Sequence, residues 1–204
     1  MNRHIVFGLA VLLALSLSVH AYVVGNFSFE EPGDGKHNNW EDVPYWSSDR
    51  VADDSGVESA WPGSTHGDYA GYLMSGDPAV WQLTDTIIEA EMEYILKVDA
   101  RDNWSATTPA KLSMMLYYDD EGTRTPVAWQ VVDLVGGEEG PWQTYSLSFV
   151  AADVPASIGH QLGILFQNVS YPSSWVGIDN VQLIPEPMTM ALLGLGGLFL
   201  RRRR

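Results

Sequence analysis

The stretch Glu93-Tyr94-Ile95-Leu96-Lys97-Val98-Asp99-Ala100-Arg101 alternates between two kinds of side chain. In an extended chain, Tyr94, Leu96, Val98 and Ala100 fall on one face, and Lys97 and Asp99 fall on the other. A period of two with one polar face is typical of a half-buried antiparallel strand. This stretch therefore predicts a strand whose apolar face contributes to a hydrophobic core.

The same alternation recurs along the chain and predicts an all-β protein. It is clear at 111–118, 144–150 and 161–168, and further candidate strands lie at 23–29, 70–74, 80–84, 127–134 and 175–184. Residues 87–93 have some helical character but are too few, so we interpret them as a connection into the next strand. Nine or ten short strands, separated by glycine, proline and acidic clusters, predict a single antiparallel β-sandwich or jelly roll.

Both ends of the chain are predicted to be processing segments rather than parts of the fold. Arg3 and His4 precede an apolar run at 5–19, and a small-residue cleavage site ends at Ala21. Residues 1–21 are therefore predicted to be a signal peptide. The sandwich domain is predicted at 22–184 and a sorting signal at 185–204.

The C-terminal segment resembles the PEP-CTERM signal of exported bacterial proteins. Pro185-Glu186-Pro187 precedes an apolar segment at 188–200, and the chain ends on Arg201, Arg202, Arg203 and Arg204. The apolar segment predicts a short helix of about 20 Å, less than a hydrocarbon core of about 30 Å. The resemblance implies an exosortase partner, transient anchoring in the inner membrane and delivery to the cell surface or extracellular matrix. An ordinary short C-terminal anchor is the alternative.

Charge and composition exclude some classes of partner. Only Glu186 of the 26 acidic residues lies in the end segments, which hold 5 of the 11 basic residues, so residues 22–184 carry 25 acids and 6 bases. Such an excess of negative charge disfavours nucleic acid as a partner. The chain has no cysteine, so no disulfide stabilises this exported domain.

Two motifs near the ends of the domain resemble those of galactose-binding-like jelly rolls, especially carbohydrate-binding modules. They are Gly25-Asn26-Phe27-Ser28-Phe29-Glu30 and Gly177-Ile178-Asp179-Asn180-Val181. The resemblance implies a structural calcium between the first and last strands, with Glu30 and Asp179 as carboxylate ligands. The alternative is that both carboxylates only accept hydrogen bonds at strand ends.

Tryptophans in loop-like surroundings are candidates for a sugar site. The chain has 8 tryptophans, and aromatic faces stack on the apolar face of a sugar ring while polar neighbours bind its hydroxyls. The predicted ligand-binding residues are Trp40, Trp46, Trp104, Trp175, Asn39, Asp102 and Asn103.

The sequence favours a binding role over catalysis. The histidines of the domain lie far apart, and neither a Gly-x-Ser-x-Gly element nor a His-Glu-x-x-His helix is present. We therefore expect a non-catalytic, exported carbohydrate-binding module associated with exopolysaccharide. A structural protein that binds other proteins is the first alternative, and a glycan hydrolase is the second.

Overall fold

The computed structural model describes residues 24–188, except 60, 62, 107, 108, 138 and 172. The predicted signal peptide at 1–21 lies outside the described residues. So do the C-terminal apolar helix beyond Met188 and the arginines Arg201–Arg204. Within the described part of the chain, no helix is both long enough and apolar enough to span a membrane.

The described residues form ten β-strands, which carry nearly all of the regular structure. Their bounds are β1 Ser47–Ser48, β2 Gly56–Glu58, β3 Ala70–Met74, β4 Val80–Ile87, β5 Met92–Ser105, β6 Lys111–Asp120, β7 Thr123–Asp133, β8 Gln143–Val150, β9 Gln161–Asn168 and β10 Ser174–Pro187.

The strands build two five-stranded antiparallel sheets, which confirms the predicted all-β sandwich. One sheet has the order β2-β3-β10-β5-β8 and the other the order β1-β4-β9-β6-β7. The last strand, β10, lies at the centre of the first sheet between β3 and β5. The ends of β5 and β10 therefore meet in the middle of that sheet.

The predicted strand at 23–29 is wrong. The described part of this segment is a turn in which Asn26 and Phe29 have φ of 47° and 59°. The side-chain amide of Asn26 donates to Glu31 O (2.9 Å), and its oxygen accepts from Glu31 N (3.0 Å). Such local side-chain bonds compete with strand pairing, and alternation of residue type does not reveal them. The connection expected at 87–93 is confined to 88–91, since β4 ends at Ile87 and β5 begins at Met92.

Alternation in the strands creates the core between the two sheets. Tyr94, Leu96, Val98 and Ala100 of β5 are all buried, as the sequence pattern predicts. Aromatic side chains fill part of the interior: Phe29 stacks on Trp46 with centroids 5.2 Å apart, and Trp46 lies 6.3 Å from Phe166.

One buried amide joins the two sheets close to the start of β10. Asn168, at the end of β9, donates from Nδ2 to Leu73 O (2.9 Å) and Ser174 O (3.0 Å). Both acceptors belong to the other sheet. Asn168 is 3% exposed, so this link between the sheets lies in the interior, where buried polar groups are normally hydrogen-bonded.

Replacement of Asn168 by leucine should destabilise the fold. The buried hydrogen bonds from Asn168 to Leu73 O and Ser174 O would be lost, which costs about 1–3 kcal/mol in free energy of unfolding. Urea denaturation measures this change. Gln167→Leu, at the neighbouring half-buried position, is the matched control and should change stability by about 0.5 kcal/mol or less. Equal effects of the two substitutions would contradict the bridging role.

Candidate functional site

The structure separates the predicted ligand-binding residues into two groups. Trp40 and Trp46 are 0% and 3% exposed and belong to the hydrophobic core. Asn39 is half-buried and directly precedes the short 3₁₀ turn Trp40–Asp42. Asn103, Trp104 and Trp175, by contrast, line one surface cleft.

This cleft lies where β5 ends and β10 begins, and we call it the Trp104–Trp175 cleft. Its volume is about 260 Å³, and its walls are Asp54, Trp61, Asn103, Trp104, Glu139 and Trp175. Loops on either side of the two strands supply Asp54, Trp61 and Glu139. The lining combines three indole rings with two carboxylates and one amide.

An irregular pairing of the strands shapes the floor of the cleft. Trp104 lies opposite Trp175, whereas Asp102 lies opposite Val176, so Asn103 is an extra residue in β5. Such bulges redirect side chains and are common next to active sites. The Trp104 and Trp175 rings meet edge to face, with centroids 5.3 Å apart and an interplanar angle of 64°.

Asn103 presents an unsatisfied amide at the cleft. Its side chain is 0% exposed, and neither its oxygen nor its nitrogen has a hydrogen-bond partner among the described residues. Its backbone is bonded: Glu139 N donates to Asn103 O (3.1 Å), and Gly140 N donates to Asp102 O (2.9 Å). The bulge thus holds the loop that carries Glu139 against the cleft.

Asp54 is fixed against the tryptophan pair. Trp175 Nε1 donates to Asp54 Oδ2 at 3.1 Å. Lys36 Nζ lies 3.7 Å from Asp54 Oδ1 and 3.5 Å from Glu58 Oε2. The Asp54 carboxylate therefore lines the cleft, with the Trp175 indole N–H bonded to one oxygen and the Lys36 ammonium group near the other.

A second, buried carboxylate holds Asp54 in place. Asp77 is 2% exposed, and its oxygens accept from Asp53 N (2.9 Å), Asp54 N (3.0 Å) and Ser55 Oγ (2.5 Å). Three donors on one carboxylate restrict the loop before β2. Asp77 is thus a positioning residue for Asp54 rather than part of the lining.

Asp102 is buried behind the cleft and does not line it. Its Oδ2 accepts from Ser105 Oγ and Ala110 N, both at 2.8 Å. These bonds close the loop between β5 and β6. The predicted residue Asp102 therefore has a structural position next to the site, while Asn103 faces it.

The two predicted calcium ligands accept backbone hydrogen bonds in this structure. Asp179 Oδ2 accepts from Thr65 N (2.6 Å) and His66 N (2.9 Å), and Oδ1 accepts from Asn180 N (2.7 Å). Burial raises the pKa of Asp179, and these bonds act in the opposite direction. Glu30 Oε1 accepts from two consecutive N–H groups, of Asp68 and Tyr69.

This donor set does not fit a calcium cage, which needs six to eight oxygens around one point. Among the described residues, no group of three or more histidine, aspartate or glutamate side chains is placed to hold a metal ion. A cation at Asp179 would have to displace several N–H donors. Calcium therefore stays a prediction from the resemblance.

Sequence reasoning missed three of the six lining residues as members of this site. Trp61 stood out only as a tryptophan in a loop. Asp54 and Glu139 each belong to an adjacent acidic pair, which in so acidic a domain suggests a solvated loop. No spacing in the sequence links them to Trp104 and Trp175, because separate loops bring them together.

Residues 20–184 match the family model described as HpiC1-like, HpiC1 cyclase. The chain belongs to this HpiC1-like family. The match covers every residue of the cleft and all of the sandwich except the last three residues of β10. No curated protein matches the chain significantly.

Solved cyclase structures share the fold of this HpiC1-like chain. A cyclase from Fischerella sp. TAU is 20% identical over 83% of this chain and 98% of its own, with a TM-score of 0.65. The Stig cyclase Fisc from the same source, in complex with (3Z)-3-(1-methyl-2-pyrrolidinylidene)-3H-indole, is 21% identical over 83% and 99%, with a TM-score of 0.63.

A third structure is also a Fischerella sp. TAU cyclase and contains 4-(1H-indol-3-yl)butan-2-one. It is 20% identical over 82% of this chain and 98% of its own, with a TM-score of 0.62.

Carbohydrate-binding jelly rolls also match. One is the CBM22-1 xylan-binding domain from Paenibacillus barcinonensis, which is 15% identical over 78% of this chain and 91% of its own, with a TM-score of 0.48. The sandwich architecture expected from the sequence is shared with the Fischerella cyclases, at the level of the fold.

The family corrects the functional prediction. The expected non-catalytic carbohydrate-binding module, and with it the expectation of no enzyme, is wrong, because the matching family is one of cyclases. The two motifs that the sequence lacks, Gly-x-Ser-x-Gly and His-Glu-x-x-His, belong to enzymes that hydrolyse their substrates with a serine nucleophile or a zinc ion. A cyclisation can proceed by orientation and proton transfer, which need neither motif.

Replacement of Asp179 by asparagine should lower the melting temperature equally in calcium and in chelator. The loss of one acceptor oxygen leaves buried N–H groups unpaired, at a cost of about 1–3 kcal/mol, or several degrees. Thermal denaturation in both solutions measures this. Asp153→Asn, at an exposed position, is the control. A shift that occurs only in calcium, for Asp179→Asn or Glu30→Gln, would instead establish the predicted metal.

Proposed function

We propose that this protein is an enzyme that cyclises a small substrate with a flat, apolar ring system held in the Trp104–Trp175 cleft. The family supports the reaction class. The observation that carries the location is the combination, in one cleft, of an edge-to-face tryptophan pair, two carboxylates and an unsatisfied buried amide.

An indole-bearing substrate fits this cleft. Aromatic rings pack in offset or edge-to-face arrangements with centroids 4.5–7 Å apart, and three indole side chains offer several such positions. Two Fischerella cyclase structures contain indole compounds. Those proteins are 20–21% identical to this chain, so the proposal depends on the cleft and on the family rather than on their ligands.

Acid–base catalysis is the chemistry that the cleft residues can supply. A cyclisation within one molecule is an isomerisation: a proton is added at one atom and lost from another, and the electrons of one π bond of the substrate form the new ring bond. Asp54 and Glu139 are the lining groups that can donate and accept that proton. Asn103 can donate to a substrate oxygen or accept from an N–H group, which would satisfy its amide.

The electrostatics of the cleft favour a transition state with positive charge. Protonation of the substrate creates a cation, and a cation is stabilised by carboxylates and by the faces of tryptophan rings. The domain carries 25 acids and 6 bases, so its overall field has the same effect.

Binding of 4-(1H-indol-3-yl)butan-2-one provides the first test. We expect saturable binding by calorimetry, and at least about ten-fold weaker binding for Trp104→Ala, since one wall of the cleft is lost. Trp129→Ala is the matched control, because Trp129 is 61% exposed on a different sheet. Equal effects of the two substitutions would contradict this location of the site.

Catalysis is tested by looking for a product that has the same mass as the substrate but a different structure. Uncyclised indole substrates incubated with the protein should give products of equal mass and different chromatographic retention. Asp54→Asn and Glu139→Gln should each lower the rate by about 10²-fold or more if the residue transfers the proton. A full rate in both variants would exclude both carboxylates as the acid and the base.

We further propose that the protein is exported and sorted through its C-terminal segment by an exosortase. Pro185, Glu186 and Pro187 form the last residues of β10, opposite Tyr94, Glu93 and Met92 of β5. A protease that binds this motif would have to act before β10 pairs or after its end is released. Mass spectrometry of the protein recovered from its host would reveal the mature termini, and an intact C-terminus at the cell surface would contradict processing.

A further inference from the structure

A second groove lies on the outer face of the sheet that does not carry the Trp104–Trp175 cleft. Its volume is about 550 Å³. We call it the Trp81 groove and define it by Asp49, Trp81, Leu83, Tyr117, Asp119 and Arg124. None of these residues lines the Trp104–Trp175 cleft.

Part of the floor of the Trp81 groove is apolar. Leu83 of β4, Gly163 of β9 and Tyr117 of β6 form one row across the sheet, since Gly163 pairs with both neighbours. A Cβ atom at Gly163 would overlap the ring of Tyr117. The missing side chain thus lets the tyrosine ring lie across β9, next to the row that contains Trp81.

Two hydrogen-bond donors in this groove lack acceptors. Trp81 Nε1 and the Tyr117 hydroxyl are both buried, and neither has a partner among the described residues. Tyr117 is 1% exposed, and burial raises the pKa of its hydroxyl well above the ordinary value, so the group stays protonated. Buried donors without acceptors are costly, and a ligand with an acceptor atom would remove that cost.

The wall of the groove is charged but locally balanced. Arg124 donates from one terminal nitrogen to both Asp49 oxygens, at 2.6 and 2.7 Å. Its guanidinium also lies 4.7 Å from the centre of the Trp81 ring. Asp119 adds a further negative charge to the lining. A bound anion would face Asp49 and Asp119 with only one, already paired, cation.

We propose that the Trp81 groove is a second binding site, for an uncharged molecule with a flat apolar body and a carbonyl-type acceptor. The apolar body would pack on Leu83 and Tyr117, beside the Trp81 ring. The carbonyl oxygen would accept from the tyrosine hydroxyl and the indole N–H, the two groups that lack acceptors. The site is independent of the cyclisation proposed for the Trp104–Trp175 cleft.

The test uses 4-phenylbutan-2-one, which has one flat ring and one ketone oxygen. In ¹H–¹⁵N spectra of the full protein, each of the 8 tryptophans of the chain contributes one indole N–H signal, and Trp81→Phe identifies that of Trp81. We expect a saturable downfield shift of this signal, because the indole N–H gains an acceptor. No shift at millimolar ketone would overturn the proposal.

Tyr117→Phe removes only the hydroxyl, and unchanged signals from distant tryptophans would show that the fold is retained. We expect about five-fold to ten-fold weaker binding, as for the loss of one hydrogen bond. Trp104→Ala, in the other cleft, should leave the affinity unchanged. Because Trp104→Ala changes only the Trp104–Trp175 cleft, an unchanged affinity would show that the ketone binds in the Trp81 groove whether or not the proposed cyclase site is correct. Unchanged binding by Tyr117→Phe would overturn the role of the hydroxyl as donor.

The class of ligand is tested with two further probes. The anion 4-phenylbutanoate should bind at least about ten-fold more weakly than the ketone, because of Asp49 and Asp119. Equal affinity would overturn the preference for an uncharged ligand. Xylohexaose should leave the Trp81 signal in place, and a saturable shift with this sugar but not with the ketone would overturn the proposed ligand class.

Discussion

The pairing of β10 with β5 is the constraint on which the rest of the structure depends. These strands lie side by side at the centre of one sheet and bring residues near the end of the domain against residues from its middle. Their irregular pairing at Trp175 and Val176 places two indole rings in contact and turns Asn103 towards the cleft. A regular ladder would give Asn103 a partner residue and a fixed face of the sheet.

Buried carboxylates stabilise the loops of this cysteine-free chain. Asp77 binds three donors of the loop before β2, and Asp179 binds the loop at Thr65 and His66. Charge-assisted bonds to backbone N–H groups are stronger than neutral ones, so each carboxylate fixes a segment that no strand pairing reaches. The same acidic residues contribute to the excess of negative charge in the domain.

Alternation predicted the fold well because it follows directly from strand geometry. Strand β9 agrees with the prediction at both ends, and β3 does so as well. The strand predicted at 23–29 does not form, because the Asn26 side chain bonds to the Glu31 backbone and produces a turn. Trp40 and Trp46 looked like loop residues, yet both are buried, because polar neighbours in sequence do not show which side chains fill the ends of a sandwich.

Most of the strands, the antiparallel sandwich and the excess of negative charge follow from the sequence alone, because they depend on local pattern and on composition. Only the tertiary structure decided which acids and aromatic rings share a site. Asp54, Asn103, Glu139 and Trp175 are far apart in the chain and meet in one cleft. Their convergence depends on a strand bulge and on hydrogen bonds between loops, which the order of residues along the chain does not reveal.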